Sequence, residues 1–203
     1  DVDIPLTKKE DKFDNLLIPK MSLRFSPNDS KNLKDESRFL NPDNIFSLNR
    51  IGFNETIEGG GSLTVGLDYE KKNKQDNTVL SSKLATVFRD ELNENLPTTS
   101  TLGKKQSDFV GEINFNPVNN LLFEYKYSLN NDIDEINLHN FKNTFQVNNF
   151  INTFTFYEEN NLIGNKSFYE NEFKYNLDGK NSFSFKTRNN KKDNLTEFYN
   201  LIY

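Results

Sequence analysis

An all-β fold, laid out as an antiparallel up-and-down meander, is predicted by three features of this 203-residue sequence. Apolar and polar residues alternate with period two along most of the chain, the pattern by which a strand separates its two faces. From residue 89 onward, short turn-forming stretches alternate with longer polar connections. Helical periodicity is absent throughout.

The elements follow in order. In LLIPKMSLRF (16–25), Leu17, Pro19, Met21, Leu23 and Phe25 take one face while Ile18, Lys20, Ser22 and Arg24 take the other. IFSLNRI (45–51) reads as a shorter, mixed strand, and residues 26–43 before it as a missed strand or an inserted loop. EGGGSLTVGLDYE (58–70) raises the question of a phosphate-binding loop. Such a loop opens a helix, so that backbone N–H groups and the helix dipole face the anion. Here Leu63, Val65, Leu67 and Tyr69 alternate with polar residues, and no Gly-Lys-Ser/Thr follows. The glycines are the entry to a strand.

VLSSKLATVFRD (79–90) places Leu80, Leu84 and Phe88 in one phase with Ser82 and Thr86. DFVGEINF (108–115) sets Phe109, Ile113 and Phe115 against Asp108, Glu112 and Asn114. LLFEYKYSLN (121–130) alternates most cleanly: Leu121, Phe123, Tyr125, Tyr127 and Leu129 oppose Glu124, Lys126, Ser128 and Asn130. Residues 135–147 change phase between Leu138 and Phe141, as a bulge makes a strand do. Strands are also expected in 150–158, 168–177, 181–188 and 195–203. NPVNN (116–120), Asn148-Asn149 and LDGK (177–180) supply tight turns, the Asp-Gly pair favouring a type I′ hairpin. The longer links are 89–107, 130–134, 159–167 and 189–194.

Composition narrows the architecture. The chain is 34% hydrophobic and 27% charged, with net charge −5 and mean hydropathy −0.78. That leaves little for a conventional core, yet Phe 19 and Tyr 8 are too many aromatics for a disordered chain. A transmembrane β-barrel reconciles the two, because its lumen face stays wet and needs no core to cover it. No run approaches the ~18 apolar residues of a membrane helix. The absence of Cys excludes a disulfide framework and thiolate metal sites within the chain. A soluble or surface-attached β-sandwich that binds a ligand or partner remains the alternative. An outer-membrane enzyme of the phospholipase or protease type is a third.

Two stretches carry a family resemblance. FSLNRIGFNETIEGGGSLTVGLDYE (46–70) resembles the Asn-Arg…Gly…Glu-Gly-Gly…Gly-Leu-x-Tyr segment of the lipopolysaccharide-assembly barrel family, LptD, also called organic solvent tolerance protein. VFRDELNENLPTTSTLGKKQSDFVGEINFNP (87–117) resembles that family's next block, with its Arg-bearing strand, Leu-Pro loop, Ser-Asp pair and strand ending in Pro. LIPKMSLRFSP (17–27) is similar to its Pro-containing strand just upstream. The chain departs from the family at Asn54-Glu55, where Asp-Arg is usual, and in lacking the cysteines that staple the barrel to a periplasmic domain.

The resemblance implies an interior slice of an outer-membrane barrel, an open curved sheet if alone, with residues 1–15 a polar lead-in or loop and 16–203 the partial barrel domain. It implies lipopolysaccharide transport to the outer leaflet. The implied partners are the plug lipoprotein LptE and the periplasmic bridge protein LptA; the implied site is the bacterial outer membrane.

Candidate chemistry is sparse. His139, the only histidine, has no nucleophile elbow beside it and reads as a wet strand or loop residue. Asp132, Asp134 and Glu135 lack the central Gly of a calcium loop and read as a solvated outer loop. LGKKQ (102–106) and TRNNKKD (187–193) read as surface charge. The acidic balance, without a basic stripe, argues against nucleic acid. No enzyme activity and no cofactor are expected. The residues expected to line a lipopolysaccharide path are the polar ones in the lumen phase: Lys20, Arg24, Arg50, Asp68, Glu112, Glu124 and Lys126.

Overall fold

A computed structural model describes residues 1–50, 52 and 57–203. Every strand in it belongs to one antiparallel sheet. The short β1 (Val2–Asp3) and β2 (Leu6–Lys9) both pair with β3 (Phe13–Ser26). From β3 each strand pairs with the next in sequence: β4 (Gly60–Asn73), β5 (Thr78–Arg89), β6 (Phe109–Val118), β7 (Leu121–Leu129), β8 (Ile136–Val147), β9 (Phe150–Glu159), β10 (Ser167–Asn176), β11 (Ser182–Asn190) and β12 (Leu195–Ile202). The meander is open: β12 pairs with β11 alone and does not close onto the first strands.

Residues 1–15, expected as a polar lead-in or loop, hold β1, β2 and the first residues of β3. Val2, Ile4 and Leu6 alternate there as strand residues do, and Pro5, which has no N–H to donate, interrupts the run. Ile4 still donates its N–H to the Pro19 carbonyl at 3.0 Å.

Because neighbouring strands are in register, the alternation read from sequence becomes two continuous faces. One carries Leu17, Met21, Leu23, Phe25, Leu63, Leu67, Leu84, Ile113, Phe115, Phe123, Tyr125, Phe141, Phe154, Phe156, Tyr169 and Phe173. Leu23 and Phe25 are 77% and 78% exposed while Ser22, on the opposite face, is 1% exposed. Hydrophobic residues turned outward and a serine turned inward invert the usual soluble arrangement. Aromatic rings run across strands on the outward face: Phe115 stacks on Phe123 at 6.3 Å, and Phe156 on Tyr169 at 5.3 Å.

The connections sort to the two ends of the sheet. At one end are 74–77, 119–120, 148–149 and 177–181; at the other are 27–59, 90–108, 130–135, 160–166 and 191–194. In the 177–181 connection Gly179 does not take a positive φ, so the expected type I′ turn is not formed. Asp178 closes the loop instead, its carboxylate accepting from the backbone N–H groups of Lys180 and Asn181, both at 2.8 Å.

Two local expectations are corrected. Residues 45–50 form turns and bends, not a strand; Ile51, the last residue of that expected strand, and Asn54-Glu55 lie outside the described residues. The segment 27–50 is an inserted loop folded onto the polar face, where Leu40 and Ile45 join Leu96 and Leu102 over Ala85, Val87 and Val110. That small core drives the insertion, since Ile45 is 1% exposed. The bulge in β8 lies at Asn137, between the pairs Ser128↔Leu138 and Leu129↔Ile136, rather than after Leu138. Leu138 is simply an apolar residue on the polar face, buried there.

Candidate functional site

The polar face is organised by strand register. Asp68 faces Lys83, Lys83 faces Glu112, and Glu112 faces Lys126, giving a row of alternating charge across β4 to β7. Opposite charges directly across a strand pair attract. The Glu112 carboxylate lies 3.8 Å from the Lys83 ammonium and 3.9 Å from that of Lys126. A second group follows further along the sheet, where Lys142 pairs with Glu124 at 3.1 Å and Glu170 holds Lys186 at 2.8 Å and Arg188 at 2.7 Å.

The inserted loop, residues 27–50, docks on this row through both charge and shape. Asp43 accepts from Lys126 at 2.7 Å, and Lys126, donating to it, holds the Asp43 carboxyl below the usual carboxylate range. The Phe46 ring fills the space left by Gly66 on β4: a Cβ there would fall 2.8 Å from the ring. Lys20 lies over the same ring, 5.3 Å from its centroid, and pairs with Asp68 at 3.2 Å. Between loop and wall remains a cavity of about 250 Å³, lined by Lys20, Asp43, Phe46, Asp68 and Lys83 among others.

Nearer the long-loop end, Arg24, Ser62 and Arg89 lie side by side across β3, β4 and β5. Arg50 reaches them from the loop. It donates to both Glu58 oxygens, at 2.7 and 2.6 Å, and to Thr64 Oγ1 and Ser62 Oγ at 3.0 and 2.9 Å. Arg89 donates to Glu58 Oε2 at 3.0 Å and to the Gly59 carbonyl, and Arg24 to the Phe46 carbonyl at 2.6 Å. The glycine run serves this junction. A Cβ on Gly59 would strike the Asn28 carbonyl at 2.3 Å, and the Gly61 N–H binds the Asp90 carboxylate at 3.0 Å.

A buried polar cluster seals the same end around Asp108. Its Oδ2 accepts from Asn137 at 2.7 Å and from Ser128 at 3.1 Å. The Asn137 bulge therefore has a purpose: it turns the amide toward Asp108.

Of the residues expected to line a path, Lys20, Arg24, Asp68, Glu112, Glu124 and Lys126 all stand on the polar face of the sheet. Asp68, Glu112 and Lys126 are brought into one row. Arg50 is different: it is 3% exposed and committed to Glu58, so it locks the loop rather than lining open space. Sequence reading does not single out Lys83, Glu58 or Arg89. For Lys83 the signal was present, since it alternates with Leu84 and so shares the polar phase. His139, expected as a wet strand or loop residue, is a strand residue of β8 on the outward face, with Nδ1 2.8 Å from the Tyr125 hydroxyl. Among the described residues no group of three or more His, Cys, Asp or Glu side chains is placed to hold a metal ion.

One strand-by-strand meander, apolar outside and charged inside, with short turns at one end and long loops at the other, is the arrangement of an outer-membrane barrel wall. The model of one protein family, LPS transport system D or LptD, matches residues 2–190. The chain belongs to the LptD family. No curated protein matches it. The match runs from β1 through β11, well past residue 117, where the resemblance in sequence motifs stops. LptD proteins serve lipopolysaccharide transport and outer-membrane biogenesis, a transport and assembly role rather than an enzymatic one.

Proposed function

We propose that this chain forms part of the wall of an outer-membrane barrel that delivers lipopolysaccharide to the outer leaflet. The observation that carries this reading is the contrast between the faces. The charged row Asp68, Lys83, Glu112 and Lys126 faces the inserted loop, while the aromatic face is turned outward. A sugar-phosphate head group passes along the polar wall, past Lys20, Arg24, Asp68, Glu112, Glu124 and Lys126. The acyl chains, which a wet lumen does not accommodate, leave sideways between strands. No covalent chemistry is required. The plug lipoprotein LptE and the bridge protein LptA act with it in this reading, which rests for both on family membership. A β-sandwich is disfavoured because it buries one face of each sheet against a second, and all the described strands belong to one sheet.

Photocrosslinking tests the proposal. A photoreactive residue at Asp68, Glu124 or Lys126 in the membrane-assembled protein is expected to capture lipopolysaccharide during transport. The same probe at Phe123 or Tyr125 is expected to capture bulk phospholipid. Absence of lipopolysaccharide adducts from all three polar positions would overturn the reading.

A further inference from the structure

Three neighbouring strands repeat one anomaly on the outward face. On β8 Asn143 stands between Phe141 and Phe145, on β9 Asn152 between Phe150 and Phe154, and on β10 Asn171 between Tyr169 and Phe173. Alternation puts each asparagine on the same face as those aromatic residues, and Asn152 Nδ2 donates to Asn171 Oδ1 at 3.1 Å across that face. Strand pairing gathers them into one belt. Asn143 faces Phe154, Phe154 faces Asn171, and Asn171 faces Thr187 of β11, while Asn152 precedes Phe154 by one step on the same face. Elsewhere the outward phase is different: Leu63, Val65, Leu67 and Tyr69 on β4, and Leu121, Phe123, Tyr125, Tyr127 and Leu129 on β7, include no amide.

A polar side chain with aromatic residues on both sides along its strand lies within the apolar band of a barrel wall, not at its rim. Acyl chains offer neither donor nor acceptor, so an unpaired amide there is costly. The sheet meets part of the need. Asn143 Nδ2 donates to the Leu122 carbonyl at 3.2 Å, and Asn152 Nδ2 lies 3.3 Å from the Glu172 carbonyl. Among the described residues, Asn171 Nδ2 and the Oδ1 atoms of Asn143 and Asn152 make no hydrogen bond. None of these three atoms is sealed inside the sheet. The belt therefore presents a free donor on β10 and free acceptors on β8 and β9.

We propose that β8 to β10 form a contact surface, within the membrane, for a second copy of this chain. The belt is complementary to itself. Two copies inserted with the same end outward are related by a two-fold axis along the membrane normal, which brings residues of equal depth together. Neighbouring strands lie about 5 Å apart, so rotation sets the β10 donor of each copy against the β8 and β9 acceptors of the other. Phe145 and Phe173, 39% and 43% exposed, border the amides and supply apolar contact area. The inference rests on the outward face meeting hydrocarbon, and it goes beyond transport, since no residue of the polar wall takes part.

Photocrosslinking between tagged copies tests it. Two forms of the membrane-assembled protein, each with its own affinity tag, are produced together with a photoreactive residue at Phe154 or, as a control, at Leu67 on β4. The Phe154 probe is expected to join the two tags, and the Leu67 probe to capture phospholipid only. Asn152→Leu combined with Asn171→Leu is expected to lower the Phe154 adduct about tenfold. Each amide bond in a membrane contributes a few-fold, and the two-fold axis doubles every loss. Ser82→Leu, which removes an outward polar residue of β5 outside the belt, is expected to leave it unchanged. Far-UV circular dichroism confirms that each variant retains its sheet. Only phospholipid on the Phe154 probe, or a two-tag adduct unmoved by the paired leucines, would overturn the contact. Capture of a different protein without the second tag would assign the belt to that partner and overturn the second copy. Either failure with phospholipid still captured at Leu67 removes this contact alone; loss of phospholipid at Leu67 removes the reading of the outward face.

Discussion

Replacing Glu58 by alanine strips two buried arginines of their shared carboxylate. The Arg50 side chain is 0% exposed, that of Arg89 is 2%, and that of Glu58 is 9%, so water cannot take over the lost bonds without opening the loop. Removing one partner from a buried ion pair costs about 3–5 kcal/mol, because the remaining charge stays desolvated. At about 1.4 kcal/mol per factor of ten, that is a hundredfold or more in the folding equilibrium. Thr64 and Ser62 still accept from Arg50, which places the expected loss near the lower end. Equilibrium urea unfolding in micelles, followed by far-UV circular dichroism, measures it. Glu58→Gln keeps the shape and an acceptor oxygen and is expected to lose roughly half as much. A loss below about 1 kcal/mol for Glu58→Ala would mean that the arginines find water, and that the loop is not locked as described.

Three further outcomes follow from the same geometry. Tyr125→Arg puts a charge on the outward face and is expected to weaken folding into bilayers by about 2–4 kcal/mol if that position lies near the midplane, whereas Lys126→Arg is expected to be nearly silent; refolding into vesicles compares them. Gly66→Val places a Cβ against the Phe46 ring and is expected to cost about 1–3 kcal/mol, read as faster proteolysis within 27–59. The Asp43 carboxyl, held below its ordinary range by Lys126, gives a pH dependence. Its contribution is complete above the ordinary carboxylate pKa, roughly 3.9, and is lost as pH falls through the lower folded value. Loop proteolysis that rises on acidification in the unaltered chain, but not in Asp43→Asn, is the expected pattern.

The two faces were legible because period two is a local property: Leu121, Phe123, Tyr125 and Tyr127 need only their neighbours in sequence to declare a side. The polar lining was legible for the same reason. What joins those residues was not, since the row from Asp68 to Lys126 depends on which residue of one strand meets which of the next. The inserted loop was the least legible element. Ile45 and Leu40 gain their burial from Ala85, Val87 and Val110, far away in sequence, so IFSLNRI looked like a strand in isolation. Leu138 misled in the opposite direction, an apolar side chain on the polar face that imitated a change of phase. The Asp-Gly turn yielded to a side-chain cap on Asp178, an alternative that turn propensity alone does not rank.

The central claim is that one face of this sheet meets hydrocarbon and the other meets water. Because the chain has no cysteine, single cysteines can be placed at each position from Leu121 to Asn130 and spin-labelled after reconstitution into vesicles. Accessibility to oxygen, which concentrates in lipid, is expected to peak at 121, 123, 125, 127 and 129. Accessibility to a water-soluble nickel chelate is expected to peak at 122, 124, 126 and 128, wherever the loop does not shield the label. Two profiles of period two, out of phase, are the predicted result. Profiles in phase with each other, or oxygen peaks at 124 and 126, would contradict it.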